Sequence, residues 1–366
     1  MRIHLVTDGF TLGGGIEHIF QIAHGMPDIQ FAVFGQTGPA IEKFTALDNV
    51  EIHDKGFTPV QVMASHPDLV HIHHLKPLVS FYKKPFKTYP VPVIYTAHGL
   101  HIHKYEFSPG FSAQMKYFLR FHLEKNIFPK VTKIIAVSRE DVRFLEDKYF
   151  LSNVRYITNG IDFNRVIAGI GESKVKLRQR LGLPVLAFLF VTVARFDFQK
   201  GYDILIRALS QMKHTLSTVK CIPHFIFVGD GSQLEEMKQL SAKLSVSQFI
   251  TFLGARTDVY DILRASDVCL LPSRWEGLPI VLIEAGLLKI PVLASATYGN
   301  REIVGDHNGI LFPNGDLAAL EQSIQDILAS HVNLSQFAEN MFNQVQAEYS
   351  LDKMLTQLRD IYHSLN

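Results

Sequence analysis

Short apolar runs alternate with amphipathic stretches along this chain, and the alternation restarts past its midpoint. Ile3–Thr7 reads as a buried strand that breaks into Gly13-Gly14-Gly15, after which Ile16–Gly25 has a helical pattern. Ile29–Phe34, Leu69–His73, Val93–Thr96 and Lys133–Val137 are further strand candidates, with helical patterns over Phe111–Asn126 and Arg139–Lys148. After a polar connection around Val166–Lys176 come a strand, Ala187–Ala194, and a helix, Gly201–Met212. Phe225–Gly229, Leu234–Leu244, Ile250–Leu253, Val259–Ala265, Val268–Leu271, Pro279–Leu288 and Val292–Ala294 continue the series. Repeated strand–helix alternation requires crossovers, and hence parallel sheets covered by helices on both faces. The expected fold class is α/β, with two Rossmann-like doubly wound domains at 1–165 and 166–349. Residues 350–366 carry a helix-spaced stripe of Leu351, Met354, Leu355, Leu358, Ile361 and Tyr362, suited to docking. Ligands of such sheets sit beyond the carboxyl ends of the strands, so two domains whose ends face across a cleft would form a two-ligand site.

A length of 366 residues fits two domains. Thirty-six Lys and Arg against 35 Asp and Glu leave no global field for nucleic acid. Two cysteines, Cys221 and Cys269, exclude a disulfide scaffold and fit a reducing compartment. No apolar run approaches the ~20 residues of a membrane span. The first residues, Met1 to Val6, lack a signal-peptide layout, so the expected location is cytoplasmic.

Gly13-Gly14-Gly15 lets backbone approach a phosphate at a helix N-terminus, or simply forms a tight turn; it matches neither G-x-G-x-x-G nor a Walker loop. Arg195 and Lys200 flank a loop at a strand's carboxyl end, where two cations five residues apart could clamp a diphosphate. Glu276 and Glu284 lie in apolar surroundings, Glu276 before a helix that Pro279 opens and Glu284 about a turn and a half inside it. A carboxylate there needs a cation or a ligand, and the vicinal hydroxyls of a sugar and a ribose suit an acceptor-only group. The bland alternative is a capping Glu276 and a solvated Glu284. His71, His73 and His74 end one strand, and His98, His101 and His103 follow another. Neither group has metal-ligand spacing, so no metal is expected; a cleft-facing His98 before Gly99 is the functional candidate, and the others read as structural. Gly229-Asp230-Gly231 and Gly254-Ala255-Arg256-Thr257 end further strands, where backbone groups could read a nucleobase.

In this order the residues resemble the retaining glycosyltransferases of family 4, which have the GT-B fold. The resemblance rests on Gly14-Gly15-Ile16-Glu17, Asn159-Gly160-Ile161-Asp162, Arg195 with Lys200-Gly201, Gly229-Asp230-Gly231, Glu276 with Glu284, and Asn308 to Pro313. It implies that Arg195 and Lys200 neutralise the departing diphosphate, that Glu276 contacts the transferred sugar and that Glu284 holds the ribose. It also implies that the Gly14–Gly15 loop closes over the phosphate, that His98 lies near the reacting centre, and that Gly229, Arg256, Gly277 and Leu278 join the donor site. The stretch Tyr298-Gly299-Asn300-Arg301-Glu302 departs from the family's common Gly-Gly-x-x-Glu form. The first domain would take the acceptor, the second the nucleotide sugar, and the tail helix would cross back onto the first. Retention of anomeric configuration follows from the resemblance alone.

Asp-x-Asp, the common divalent-ion motif of the other major transferase fold, occurs nowhere here, so cations and helix dipoles would replace the metal. The expected enzyme is a metal-independent, hexosyltransferase-type glycosyltransferase without a cofactor. It would take a UDP- or GDP-sugar and a glycan or lipid-linked acceptor hydroxyl, in cell-surface polysaccharide or glycolipid synthesis. Segment 76–133 holds ten Lys and Arg against two acids, with twelve aromatics interleaved. That composition suits an anionic membrane surface, and equally a solvated face over an aromatic core; nucleic acid is disfavoured because no recognition motif accompanies the charge. Rival readings are a GT-B nucleotide-sugar epimerase and a non-catalytic sugar-nucleotide-binding protein.

Overall fold

The computed structural model describes residues 1–11, 13–83, 89–107, 110–168, 171–219 and 222–365. Lys84, Phe86 and Lys87 of the basic segment, Cys221, and the side chains of His101, Glu106 and Phe107 lie outside what is described.

Seven strands form the first sheet: β1 (Arg2–Gly9), β2 (Gln30–Gln36), β3 (Val50–His53), β4 (Leu69–Ile72), β5 (Val93–Ala97), β6 (Lys133–Ala136) and β7 (Val154–Tyr156). Their order is β3-β2-β1-β4-β5-β6-β7, and every pairing is parallel. Six form the second: β8 (Phe188–Val193), β9 (Pro223–Val228), β10 (Ile250–Gly254), β11 (Val268–Leu271), β12 (Val292–Ser295) and β13 (Ile310–Phe312). Their order, β10-β9-β8-β11-β12-β13, is again all parallel. The central strands are mainly apolar because both their faces are buried, with His4, Thr7 and His71 among the buried polar exceptions. In each sheet the strand order reverses once, between β1 and β4 and between β8 and β11. Loops leaving neighbouring strands there diverge to opposite faces and open a crevice at the carboxyl ends.

β3, β7 and β13 are strands that the apolar pattern did not mark; β3 and β7 are edge strands of mixed polarity. The polar connection around Val166–Lys176 is flanked by helices Phe163–Ile167 and Lys174–Leu181, capped by Asp162 and Ser173. Within the second of these, buried Arg178 donates to the carbonyls of Ala265, Val185 and Ala187 and pairs with Asp267 at 2.7 Å. A charged residue there serves burial through its hydrogen bonds, which a hydrophobicity pattern does not register.

Contacts divide the chain into two units. One is Met1–Gly160 with Tyr349–Asn366, and the other is Ile161–Glu348. Helix Leu351–Leu365 buries Met354, Leu355, Leu358 and Tyr362 in the core formed by one face of the first sheet and helix Gly14–Gly25. Its approach is close: a Cβ on Gly25 would lie 2.2 Å from the Leu355 side chain. Tyr362 Oη hydrogen-bonds His71 Nδ1 at 2.7 Å, and Arg359 forms a two-pronged pair with Asp28. Among the described residues, no helix is long and apolar enough to cross a membrane.

Candidate functional site

In the second unit, the crevice between β8 and β11 brings two loops together. Gly201, at φ +67°, allows the contact, since a Cβ there would lie 2.1 Å from the Pro272 carbonyl oxygen. The loops are tied by Arg274 N–H donating to the Gln199 carbonyl at 2.7 Å and Gln199 Nε2 to the Trp275 carbonyl at 2.9 Å. Arg274 also grips the Asp203 carboxylate with both terminal nitrogens and stacks over the Phe198 ring. Held in this way, Lys200 Nζ stands 2.7 Å from Glu276 Oε1. Ser273 Oγ donates to the same oxygen at 2.6 Å. The Glu276 side chain is 5% exposed and that of Lys200 16%. An ion pair so little hydrated stays in one geometry, because separating it leaves a charge in low dielectric.

A short helix, Tyr298–Ile303, packs against the site. Gly299 lies against Glu276 and Gly277 so closely that a Cβ would approach the Gly277 carbonyl oxygen to 2.3 Å. Buried Asn300 donates to the Ser295 carbonyl, and Ser295 Oγ in turn donates to the Ser273 carbonyl. Gly299 thus meets a steric demand beside Tyr298, the position at which this stretch departs from the common Gly-Gly-x-x-Glu form. Leu278 is buried beside it, and Pro279 caps helix Ile280–Leu287.

The remaining candidates of this unit have other partners. Arg195 is 64% exposed and pairs with Asp197 at 3.1 Å, so it is not brought to Glu276. Arg256 makes two bonds to Asp258, at 2.8 and 2.6 Å, which raise the pKa of the guanidinium and lower that of the carboxyl. Gly229, at φ +140°, packs beneath the first loop, where a Cβ would lie 2.0 Å from the Ala194 carbonyl oxygen. Glu284 is half-buried and accepts a hydrogen bond from Tyr260 Oη at 3.1 Å. Burial, with a smaller addition from Glu284, pushes the Cys269 thiol up to about 12, so it is no nucleophile near neutral pH. Gln199, Ser273, Tyr260 and Asn300 were not singled out from the sequence as site residues; polar side chains on separate loops and short helices become visible only once strand order brings those segments together.

In the first unit, the β1–β4 crevice collects imidazoles. Gly14 opens helix Gly14–Gly25, and a Cβ on Gly15 would lie 3.0 Å from His74 Nε2. His74 Nδ1 is 3.0 Å from Thr7 Oγ1. His98 follows β5, and its Nε2 is 3.3 Å from His73 Nδ1. His18, from the helix, packs edge-on to His98 with ring centroids 4.8 Å apart. His71 is fully satisfied by Tyr362 and Thr96. Burial lowers the pKa of His73 well below its ordinary value and that of His18 to about 4, so both are neutral. Nothing near His18 in the sequence marks it.

Helix Phe111–Ile127 of the same unit turns Phe111, Met115, Phe118, Leu119 and Leu123 to solvent. These positions fall on one helical stripe, opposite buried Ala113, Glu124 and Ile127. Glu124 is held inside by Arg120 and Tyr149, so it places no negative charge on that stripe.

Residues 173–344 match the family described as "Glycosyl transferases group 1", and residues 59–165 match "Glycosyltransferase Family 4". Over 237 residues the chain is 27% identical to the UDP-Gal:alpha-D-GlcNAc-diphosphoundecaprenol alpha-1,3-galactosyltransferase of Escherichia coli, covering 63% of this chain and 60% of that one. It is 26% identical over 314 residues to a D-inositol 3-phosphate glycosyltransferase of Salinispora tropica, covering 82% of this chain and 64% of that one. The chain thus spans less than two thirds of the length of these relatives. The crystal structure of Anabaena Alr3699/HepE in complex with UDP and glucose matches with a TM-score of 0.81 at 22% identity, covering 100% of each chain. On these matches and its two parallel sheets, the chain belongs to the family 4 glycosyltransferases, with the GT-B fold.

Proposed function

We propose that the protein is a retaining, metal-independent hexosyltransferase that moves a sugar from a nucleotide diphosphate donor to a lipid-linked or glycan hydroxyl in cell-surface polymer or glycolipid synthesis. The Lys200–Glu276–Ser273 constellation carries the reading. It joins a cation and an acceptor-only carboxylate, both nearly dry, at the crevice where an open α/β sheet takes its ligand. Departure of a nucleoside diphosphate places negative charge on the bridging oxygen and phosphates. A preorganised ammonium stabilises that charge more in the transition state than before it. Lys200 has three donors and gives one to Glu276, which leaves others for the phosphates. Glu276 would meet the sugar hydroxyls, Glu284 with Tyr260 the ribose, and Arg195 would swing from Asp197 to the diphosphate. Gly229, Arg256, Gly277 and Leu278 would line the nucleotide. Gly14 and Gly15 would meet the phosphate, and His98 the reacting centre.

A uridine diphosphate sugar is favoured over a guanosine one by the UDP in the Anabaena structure and the UDP-Gal in the name of the Escherichia coli relative. The diphosphoundecaprenol in that name supports a lipid-linked acceptor. The exposed stripe of helix Phe111–Ile127, within a basic segment, would seat the enzyme on the anionic inner face of the cytoplasmic membrane. A thermal-shift screen of nucleotide sugars tests the donor. The matching compound raises Tm, because ligand that binds only the folded chain adds stability, and Lys200→Ala weakens the effect. Transfer of labelled sugar to a lipid-linked acceptor tests the reaction. Donor conversion without acceptor addition, or full activity in Lys200→Ala, would refute it.

A further inference from the structure

His18, His73 and His98 come from three separate elements of the first unit, and one ring nitrogen of each lies within 4.8 Å of the other two. The pair His73 Nδ1 and His98 Nε2 stands 3.3 Å apart. Two nitrogens on one tetrahedral ion, each bonded at about 2.0–2.1 Å, are separated by roughly that distance. His18 is 2% exposed, and neither of its ring nitrogens has a hydrogen-bond partner among the described residues; nor has His73 Nε2. Buried polar atoms are ordinarily paired, and leaving one unpaired costs about 1–3 kcal/mol. An orphaned His18 nitrogen beside the His73 Nδ1–His98 Nε2 pair, with His98 half-buried, therefore needs a reason, and a ligand shared with that pair supplies one.

We propose that His18, His73 and His98 form a three-histidine site for a borderline divalent cation of the zinc type, with the fourth position left to water. The ring nitrogens converge when the His18 ring moves inward by roughly an ångström, toward the spacing that tetrahedral zinc requires. A set of three imidazoles without a carboxylate prefers zinc or cobalt to magnesium or manganese, which take oxygen ligands. The site belongs to the first unit and the Lys200–Glu276 pair to the second, and the cation has no part in diphosphate departure. Its occupation removes the His98 ring from the reacting centre, so the cation acts as an inhibitor; this consequence rests on the role proposed for His98.

Cobalt titration of the chelator-treated full-length protein tests the site by visible absorption, independently of activity. Wild type gains tetrahedral d–d bands at one equivalent, zinc abolishes them, and magnesium does not. His18→Ala loses the bands with unchanged circular dichroism, whereas His24→Gln, at an exposed position of the same helix, keeps them. Should His18→Ala misfold, His98→Gln at its half-buried position gives the same reading. Absence of bands in wild type, or bands that persist in the folded variants, overturns the site. Zinc that binds without slowing transfer leaves the site standing and removes His98 from the reaction.

Discussion

Lys200 and Glu276 each hold the other in surroundings that suit neither alone, since removing one partner of a buried pair typically costs about 3–5 kcal/mol. Variants of this pair therefore alter both stability and chemistry, and a cycle separates the two. Lys200→Ala and Glu276→Gln should each lower kcat/KM by about 10²–10³-fold, the usual loss on removing one group that stabilises developing charge. The double variant should be no slower than the worse single, and more stable in urea than either, because no lone charge remains. Additive losses would mean that the groups act separately. The sequence already pointed to both residues, through a carboxylate in apolar surroundings and a lysine after a strand. It did not point to Ser273 or Gln199, because polar residues in loops look alike until strand order joins the loops. His18 was hidden for the same reason: it lies on the buried face of an amphipathic helix, and its partners lie beyond strands far along the chain.

At the scale of elements, helix Phe111–Ile127 sets its apolar residues outward, against the usual direction of burial. Phe118→Glu with Leu119→Glu should abolish sedimentation with anionic vesicles and leave the fold intact, since both side chains face solvent. Equal absence of wild type from anionic and neutral vesicles would remove the membrane from the reading. Helix Leu351–Leu365 is fastened differently. Its Arg359 holds the Asp28 carboxyl at about 2, below an ordinary 3.8. A carboxyl lowered by folding stabilises the fold above its unfolded pKa, and that contribution fades as pH falls through the folded one. Asp28→Asn should therefore lower Tm slightly at neutral pH, and the difference should close between about pH 4 and pH 2; a difference that persists at pH 2 would exclude the pair as its cause. The helix itself was legible from its apolar stripe, as were the central strands from their mainly apolar runs. Edge strands β3 and β7 were not, because short strands with one open side need no such run.

For the whole molecule, two parallel sheets with one crevice each give two places for chemistry, and the alternating pattern announced both sheets. If Lys200 with main-chain amides compensates the departing diphosphate, EDTA should leave the transfer rate undiminished. Complete loss restored by manganese would put a divalent ion into the mechanism. The order of the chain has its own consequence. The first unit's core is completed by residues translated only after all of the second unit. At about 5–20 residues per second, the seat for Met354, Leu358 and Tyr362 stays uncovered on the ribosome for roughly ten seconds or more. During that interval the nascent polypeptide presents a greasy groove that helix Leu351–Leu365 later fills, which makes early termination a direct route to aggregation and chaperone capture.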